Sequence, residues 1–586
     1  PRSAAPGVIT MRAVRGSEYV FAALRSEGID AVFMVPGGLN DQFMPPMTST
    51  PGVRTVVAAH EGGAAYMADG YARASGRFGV AFGIGGPGVL NMATALASAR
   101  SDRTRVLAIS GEVPTSLEGR GLFQDASGAG LDDLDILRPT AGRSLAVESP
   151  AMLDHHLKDA IAHMLARNEP AHVTIPTDVQ SAEISGTWST LPDRQYRPRE
   201  IDVAALEGDV WPTLAGSSRV LAVAGAEVSG GDGAASLAAF AERYHVPVAT
   251  TLSAKGVLPE DHPLSLGVFG YAGSRWATEA ILDPRVEVLL VLGADLNQRN
   301  TLYWEERMRP TRALIHVAAD ATLIGRVWPS LPVIGEPAAA LAALAGAHGD
   351  APERFVTSAP ERRAFLDEVR ARGDRCYAPE HEHADSTPIH PARMVAELRR
   401  AAPPGTVLAV DSGAHRAWAG HYWLSDGPGR YLTGANLGPM GAALPLAIGA
   451  WHARPDSPHA VVIGDGCMLM HGLELHTAVR HEVPLVVCVV NNGSYGNIWF
   501  RARTMGEGPS RLTDIPGIDW AAVANAMGAR GRRVTEPGEL GDAFGSAFAS
   551  AASSRRPQLV DVHVDKTAEK PTTPWTQAMH DWEDHH

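Results

Sequence analysis

The stretch Ala460–Gly496, AVVIGDGCMLMHGLELHTAVRHEVPLVVCVVNNGSYG, decides how this chain folds. Ala460–Ile463 and Leu485–Val490 are short β-branched runs, separated by a helix-length segment with apolar residues at Met470, Leu473 and Val479. That alternation predicts a strand, helix, strand unit of a parallel sheet. The first strand then ends at Gly464-Asp465-Gly466 and the second at Asn491-Asn492-Gly493, both at the carboxyl edge of the sheet, where ligands bind. Asp465 and Asn492, 27 positions apart, become spatial neighbours. Magnesium takes hard oxygen ligands and usually keeps a phosphate among them. The Asp465 carboxylate, the Asn492 amide oxygen and the Ser494 carbonyl would leave room for two diphosphate oxygens and a water. Gly464 and Gly466 let the backbone approach phosphate, and the helix from Cys467 offers its first N–H groups to anionic oxygen. Gly-Asp-Gly alone is a common turn after a strand. Followed at this distance by Asn-Asn, it is far more specific.

Composition fits a soluble globular protein with several cores: 586 residues, 45% hydrophobic and 20% charged. This length suits about three domains. A formal charge of -14 argues against nucleic acid or an anionic membrane as partner, so any phosphate site must be local. Cys376, Cys467 and Cys488 form neither a disulfide framework nor a zinc spacing. The first residues, PRSAAPGVITM, lack an apolar core of signal-peptide length, and no membrane-length apolar run occurs. A cytoplasmic protein is expected.

Outward from the opening stretch, strand-like and helix-like runs alternate through most of the chain. The pattern predicts three doubly wound parallel-sheet domains, at residues 10–186, 200–345 and 391–566. A Pro/Arg/Ser-rich linker follows residue 186, and the proline-punctuated stretch 346–390 reads as a surface linker with one helix between Pro360 and Arg372. His381 and His383 there, with Glu380, Glu382 and Asp385, could ligate a metal, but without regular spacing a solvated linker is favoured. The tail 567–586 either folds over the site or stays loose. In the first domain, Val35-Pro36-Gly37-Gly38 ends a strand and His60-Glu61-Gly62-Gly63-Ala64-Ala65-Tyr66-Met67-Ala68-Asp69-Gly70-Tyr71-Ala72-Arg73 reads as a helix. Seen alone, Glu61 would be a helix-start charge favoured by the macrodipole. Ile84-Gly85-Gly86-Pro87-Gly88-Val89-Leu90-Asn91 is a glycine-rich turn from strand to helix, without the dinucleotide spacing.

These motifs resemble the thiamine diphosphate enzymes, in which Gly-Asp-Gly opens and Asn-Asn closes the metal-diphosphate motif. The resemblance implies thiamine diphosphate and Mg2+ as cofactors, with Asp465, Asn492 and Ser494 on the metal. It implies that Glu61 hydrogen-bonds the aminopyrimidine ring and so promotes loss of the thiazolium C2 proton. Gly38, Pro87, Asn91, Gly438, Gly464, Gly466, Cys467, Tyr495, Gly496 and Asn497 are the further cofactor contacts it implies. His415 matches a diphosphate-binding histidine, and Met440 the apolar prop that bends the cofactor; a helix-start histidine and ordinary core packing are the alternatives. Phe123-Gln124 resembles the pair that faces substrate in the acetolactate synthases, with core packing as the alternative for Phe123. Ile498, Trp499, Phe500 and Met505 are candidates for a substrate pocket or lid. FAD in the central domain is disfavoured, because Asp295 stands where the synthases carry an arginine.

The activity implied is decarboxylation of a 2-oxo acid such as pyruvate and transfer of the acyl carbanion equivalent to a small acceptor. The related decarboxylases carry a protonating histidine in the loop that here reads Ile84-Gly85-Gly86, and this chain has none, so carboligation is favoured. The alternatives are a non-oxidative decarboxylase or carbon–carbon lyase, and a non-catalytic paralogue that would have no physical reason to keep Glu61, Asp465 and Asn492 together. The resemblance also implies a homodimer or homotetramer with active sites between chains.

Overall fold

The computed structural model describes residues 13–191, 201–230, 232–347, 351–570 and 574. Three six-stranded sheets organise them, and every strand pairing within these sheets is parallel. The chain divides into two compact units, residues 1–197 with the first sheet and 198–586 with the other two.

In the first unit the spatial order is Arg54–Val57, Ala31–Met34, Gly79–Ile84, Val106–Glu112, Ala171–Pro176, Arg143–Ala146. The chain runs outward from Ala31–Met34 to Arg54–Val57, then returns to the other side of Ala31–Met34. That reversal opens a crevice beyond the carboxyl ends of Ala31–Met34 and Gly79–Ile84. The helix Glu61–Ser75 buries nearly its whole length, as its small residues allow, and Gly76 closes it in the left-handed conformation that glycine adopts most readily.

The second unit holds the central sheet, ordered Ser265–Val268, Val248–Thr250, Val220–Ala224, Val288–Leu292, Ala313–Ala318, Leu331–Ile334. Its last sheet is ordered Tyr431–Leu432, Val407–Val410, His459–Gly464, Leu485–Asn491, Gln558–His563, Arg530–Val534. Here the reversal lies between Val407–Val410 and His459–Gly464, with Val410 opposite Val462. The opening stretch is therefore a parallel strand, helix, strand unit beside the switch point.

Two expectations are corrected. The segment between its strands is two helices, Asp465–His471 and Glu474–Arg480, separated at Gly472, the weakest helix former in the run. Met470 and Leu473, two of the apolar residues noted in that segment, are exposed. The stretch 351–390 is more than a solvated linker: Phe355, Phe365, Leu366, Val369 and Cys376 join the core shared by the central and last sheets. It carries two α-helices, Glu353–Thr357 and Ala359–Ala371, where one was expected. Beyond Lys570 only Pro574 is described, so what was expected of the tail lies outside the described residues. No helix among the described residues is long and apolar enough to cross a membrane.

Candidate functional site

In the second unit the carboxyl ends of four adjacent strands converge on a cavity of about 240 Å³. Asp465 starts its helix at the end of His459–Gly464 and is buried. One carboxylate oxygen accepts the Gly466 N–H at 2.8 Å and the other the Gly493 N–H at 2.7 Å. The second bond spans to the turn after the neighbouring strand and fixes the proximity that the spacing predicted. Asn492 presents its amide oxygen to the Ser494 N–H at 3.1 Å. The adjacent Asn491 does something else: its amide donates to Asp561 and to the Ile518 carbonyl, so it is a strut within the sheet edge.

Asp465, Asn492, Ser494, His415, Gly438, Met440, Gly464, Gly466, Cys467, Tyr495, Gly496 and Asn497 all line this cavity. Three buried polar atoms on that lining lack partners: His415 Nε2, Ser494 Oγ and Asn497 Oδ1. Burial, and next the charge of Arg416, push the His415 pKa down to about 3. The imidazole is therefore neutral at pH 7, free to donate one N–H or accept one. Burial also raises Asp465 to about 6. A nearby cation would favour its ionised form again. The glycines make this close approach possible: a Cβ on Gly466 would stand 2.8 Å from the Tyr495 ring, and one on Gly496 2.8 Å from the Asn492 amide nitrogen.

A buried carboxylate that the sequence reading did not single out, Asp411, anchors the opposite wall. It accepts N–H groups from Ser412 at 2.7 Å, and from Gly441 and Ala443 at 2.9 Å. It thus pins the loop that carries Gly438 and Met440 to the end of Val407–Val410. An aspartate directly after a β-branched run is the only sequence signal for it. Cys467 donates its thiol to the Ser412 carbonyl at 3.1 Å. Ile498 and Phe500 line the cavity, whereas Met505 is 72% exposed and does not.

In the first unit, Glu61 opens its helix half-buried, and His60 caps the same helix by accepting the Gly62 N–H at 3.0 Å. Asn91 donates its side-chain amide to Glu61 at 2.9 Å. Gly88 lets the glycine-rich loop close on this carboxylate, since a Cβ there would lie 3.4 Å from a Glu61 oxygen. Gly38 and Pro87 are exposed on the two loops that flank the reversal. Phe123 is 82% exposed, which removes core packing as its role, and Gln124 beside it is half-buried with φ +63°. Beneath the loop lies a pair missed in the sequence: Glu112 accepts N–H groups from Val113 and Ala126, and Asp133 accepts the Gly86 N–H at 3.3 Å. Burial lifts Glu112 to about 7 and Asp133 to about 6.

The histidines of 381–390 do not form a metal centre. The His381 and His390 rings lie 4.4 Å apart, Glu382 pairs with Arg399 and Asp385 with Arg393. No group of three or more His, Cys, Asp or Glu among the described residues is arranged to hold a metal ion. The Asp465 set has one carboxylate, so a cation there would need oxygens from a bound phosphate.

Three doubly wound sheets, two crevices at strand reversals and a carboxylate-amide pair lining a cavity define an enzyme that holds a diphosphate cofactor. The chain belongs to the thiamine pyrophosphate enzymes. Residues 14–132 match the model of the N-terminal TPP binding domain, 209–344 the central domain and 411–562 the C-terminal TPP binding domain. It is 29% identical over 576 residues to the acetolactate synthase large subunit of Corynebacterium glutamicum, covering 97% of this chain and 89% of that one. It is likewise 29% identical over 564 residues to the acetolactate synthase large subunit of Parasynechococcus marenigrum, covering 94% and 88%. Among solved structures, the thiamine diphosphate-dependent 4-hydroxybenzoylformate decarboxylase of Rhodococcus jostii RHA1 shares the fold. The TM-score is 0.78 at 24% identity, covering 95% of this chain and all of that one.

Proposed function

We propose that this thiamine diphosphate enzyme is a Mg2+-dependent carboligase that decarboxylates a 2-oxo acid such as pyruvate and passes the acyl unit to a small acceptor. The observation that carries the cofactor reading is the buried Asp465 bridging Gly466 and Gly493, with three orphan polar atoms on the same cavity. Asp465, Asn492 and the Ser494 carbonyl would hold the metal, and His415 Nε2 would meet a phosphate oxygen. Gly438 and Met440 would meet the cofactor rings. Thiamine diphosphate, when bound, supplies the thiazolium carbon at which such chemistry occurs.

Glu61 would orient the aminopyrimidine and hold a proton at its carboxylate, with Asn91 fixing the carboxylate's rotamer. Phe123 and Gln124, on an exposed loop, are available to meet substrate. The loop Ile84–Asn91 offers no histidine to protonate a reacting carbon, which favours transfer to an acceptor. One observation favours the decarboxylase or lyase alternative: Glu112, whose pKa burial raises to about 7, lies directly under Gly85. We infer no flavin in the central domain. Asp295, just past the end of Val288–Leu292, accepts from Asn297 and Asn300 and would repel a diphosphate. The protein would act in the cytoplasm, as a homodimer or homotetramer, with no nucleic-acid or membrane partner.

The test is product identification by mass spectrometry from a panel of 2-oxo acids, with and without aldehyde acceptors, after loading with thiamine diphosphate and MgCl2. A carbon–carbon coupled product is expected, from an uncoloured preparation. Aldehyde as the sole product would establish the alternative, and no consumption of any 2-oxo acid would overturn the reading.

A further inference from the structure

Arg416 stands two residues into the helix Ala414–Tyr422 and is 2% exposed. Its guanidinium donates to the Gly434 carbonyl at 2.8 Å and to the Ser412 hydroxyl, and its Nε has no partner. Among the described residues it is ion-paired with no carboxylate. One of its terminal nitrogens lies 3.4 Å from where a Cβ on Gly438 would stand. Ser412 and Gly438 both line the cavity described above, so Arg416 is one layer behind its wall. A buried charge without a partner is strongly unfavourable unless something else balances it.

The contrast with Arg362 sharpens this. That side chain is equally buried and also lacks a carboxylate, but its three nitrogens end on the carbonyls of Tyr244, Ser218 and Phe355. It also lies 4.4 Å from the centre of the Phe355 ring. Carbonyl dipoles and an aromatic face satisfy Arg362 internally. Arg416 has one carbonyl, one hydroxyl and an orphan N–H, and it borders a cavity. Asp411, the buried acid just past the end of the strand Val407–Val410, already accepts three backbone N–H groups.

We propose that Arg416 is the charge-balancing residue of this cavity: a cation left uncompensated in the free protein so that a bound oxyanion completes the pair. Two oxyanions of the proposed reaction fit, the cofactor's diphosphate and the carboxylate of the 2-oxo acid, so the inference rests on the function proposed above. Arg416 acts through the wall at Ser412 and Gly438, raising the potential in the cavity for anions generally. In the free protein its charge is a liability. In the complex it is an asset.

The test uses the full chain and its Arg416→Gln and Arg416→Lys variants. Calorimetry reads binding of thiamine diphosphate and of inorganic pyrophosphate, each with MgCl2. Steady-state kinetics reads KM for pyruvate, and thermal melts read the free proteins. The expected result is that Arg416→Gln melts no lower than the parent when free, while one anion affinity falls by about tenfold or more. Arg416→Lys should recover most of that affinity, because it keeps the charge. Loss confined to pyrophosphate and cofactor identifies the diphosphate as the counter-ion. A raised pyruvate KM at unchanged cofactor affinity identifies the carboxylate. The proposal is overturned if all affinities stay within twofold of the parent, or if the lysine variant is as weak as the glutamine variant, which would make Arg416 a structural strut. A parent chain that takes up neither thiamine diphosphate nor pyrophosphate would overturn the reading of the cavity itself.

Discussion

Glu112 shows what a single side chain can do to the behaviour of a domain. It is buried at the end of Val106–Glu112, keeps one oxygen unpartnered, and has its pKa raised from 4.5 to about 7 by burial, with the charges of Asp133 and Asp125 adding to the rise. A carboxyl group with a raised folded pKa binds its proton more tightly folded than unfolded. Its stabilising contribution is therefore fully present below about pH 4.5 and is lost as pH rises through about 7. Asp133 acts in the same direction, with loss complete near pH 6. Glu112→Gln removes that dependence while keeping an oxygen for the Val113 and Ala126 N–H groups. It is expected to match the parent near pH 4.5 and to exceed it by about 2 to 3 kcal/mol at pH 8. Urea denaturation of both proteins at the two pH values measures the difference, and a pH-independent difference would remove the burial argument. At this scale the sequence was legible where placement follows from spacing, as for Asp465 beside the turn that carries Asn492, and for Glu61 at the start of its helix. It was silent on Glu112, Asp133 and Arg416, because their character comes from burial by segments far away in the chain. Phe123, with two open readings in the sequence, is settled as exposed only by the path of its loop.

Elements read well where their composition was strongly β-branched and poorly at sheet edges. Arg143–Ala146, Arg530–Val534 and Tyr431–Leu432 were not anticipated; the first two carry charged residues facing solvent, and the third is two residues long. All three are edge strands, whose pairing is decided by the neighbour and not by their own hydrophobicity. The loop Asn436–Gly441 is the element on which the candidate site depends most. Gly441 has φ +85°, its N–H is held by Asp411, and a Cβ there would lie 2.6 Å from the Met470 Cβ. Gly441→Ala therefore meets both backbone strain and the helix Asp465–His471. A loss of about 2 to 3 kcal/mol is expected. Because that helix carries Asp465, cofactor affinity should fall as well. Denaturation together with cofactor titration checks this, and an unchanged affinity would show that the loop and the Asp465 helix are not coupled.

For the whole molecule, the proposal that Glu61 and the Asp465 motif of one active site come from different chains is open to direct test. Leu469, Met470 and Leu473 are 48%, 50% and 65% exposed on or just after the helix that carries Asp465, and Phe123 is 82% exposed on its own unit. A contiguous apolar patch beside functional residues is one mark of an interaction surface. The decisive experiment exploits inactive variants. Glu61→Gln is expected to keep metal-dependent cofactor uptake and lose most turnover, whereas Asp465→Ala should lose the cofactor itself. Neither homodimer has an intact site. If each site draws Glu61 from one chain and Asp465 from the other, a mixed dimer contains one site with both residues and one with neither. Co-expression in equal amounts puts half the molecules in mixed dimers, each with one of two sites restored, so activity should return to roughly one quarter of the parent. If both residues of a site come from the same chain, every site carries one lesion whatever the mixture. Co-expressed variants with no more activity than either alone would then place the whole site within one chain.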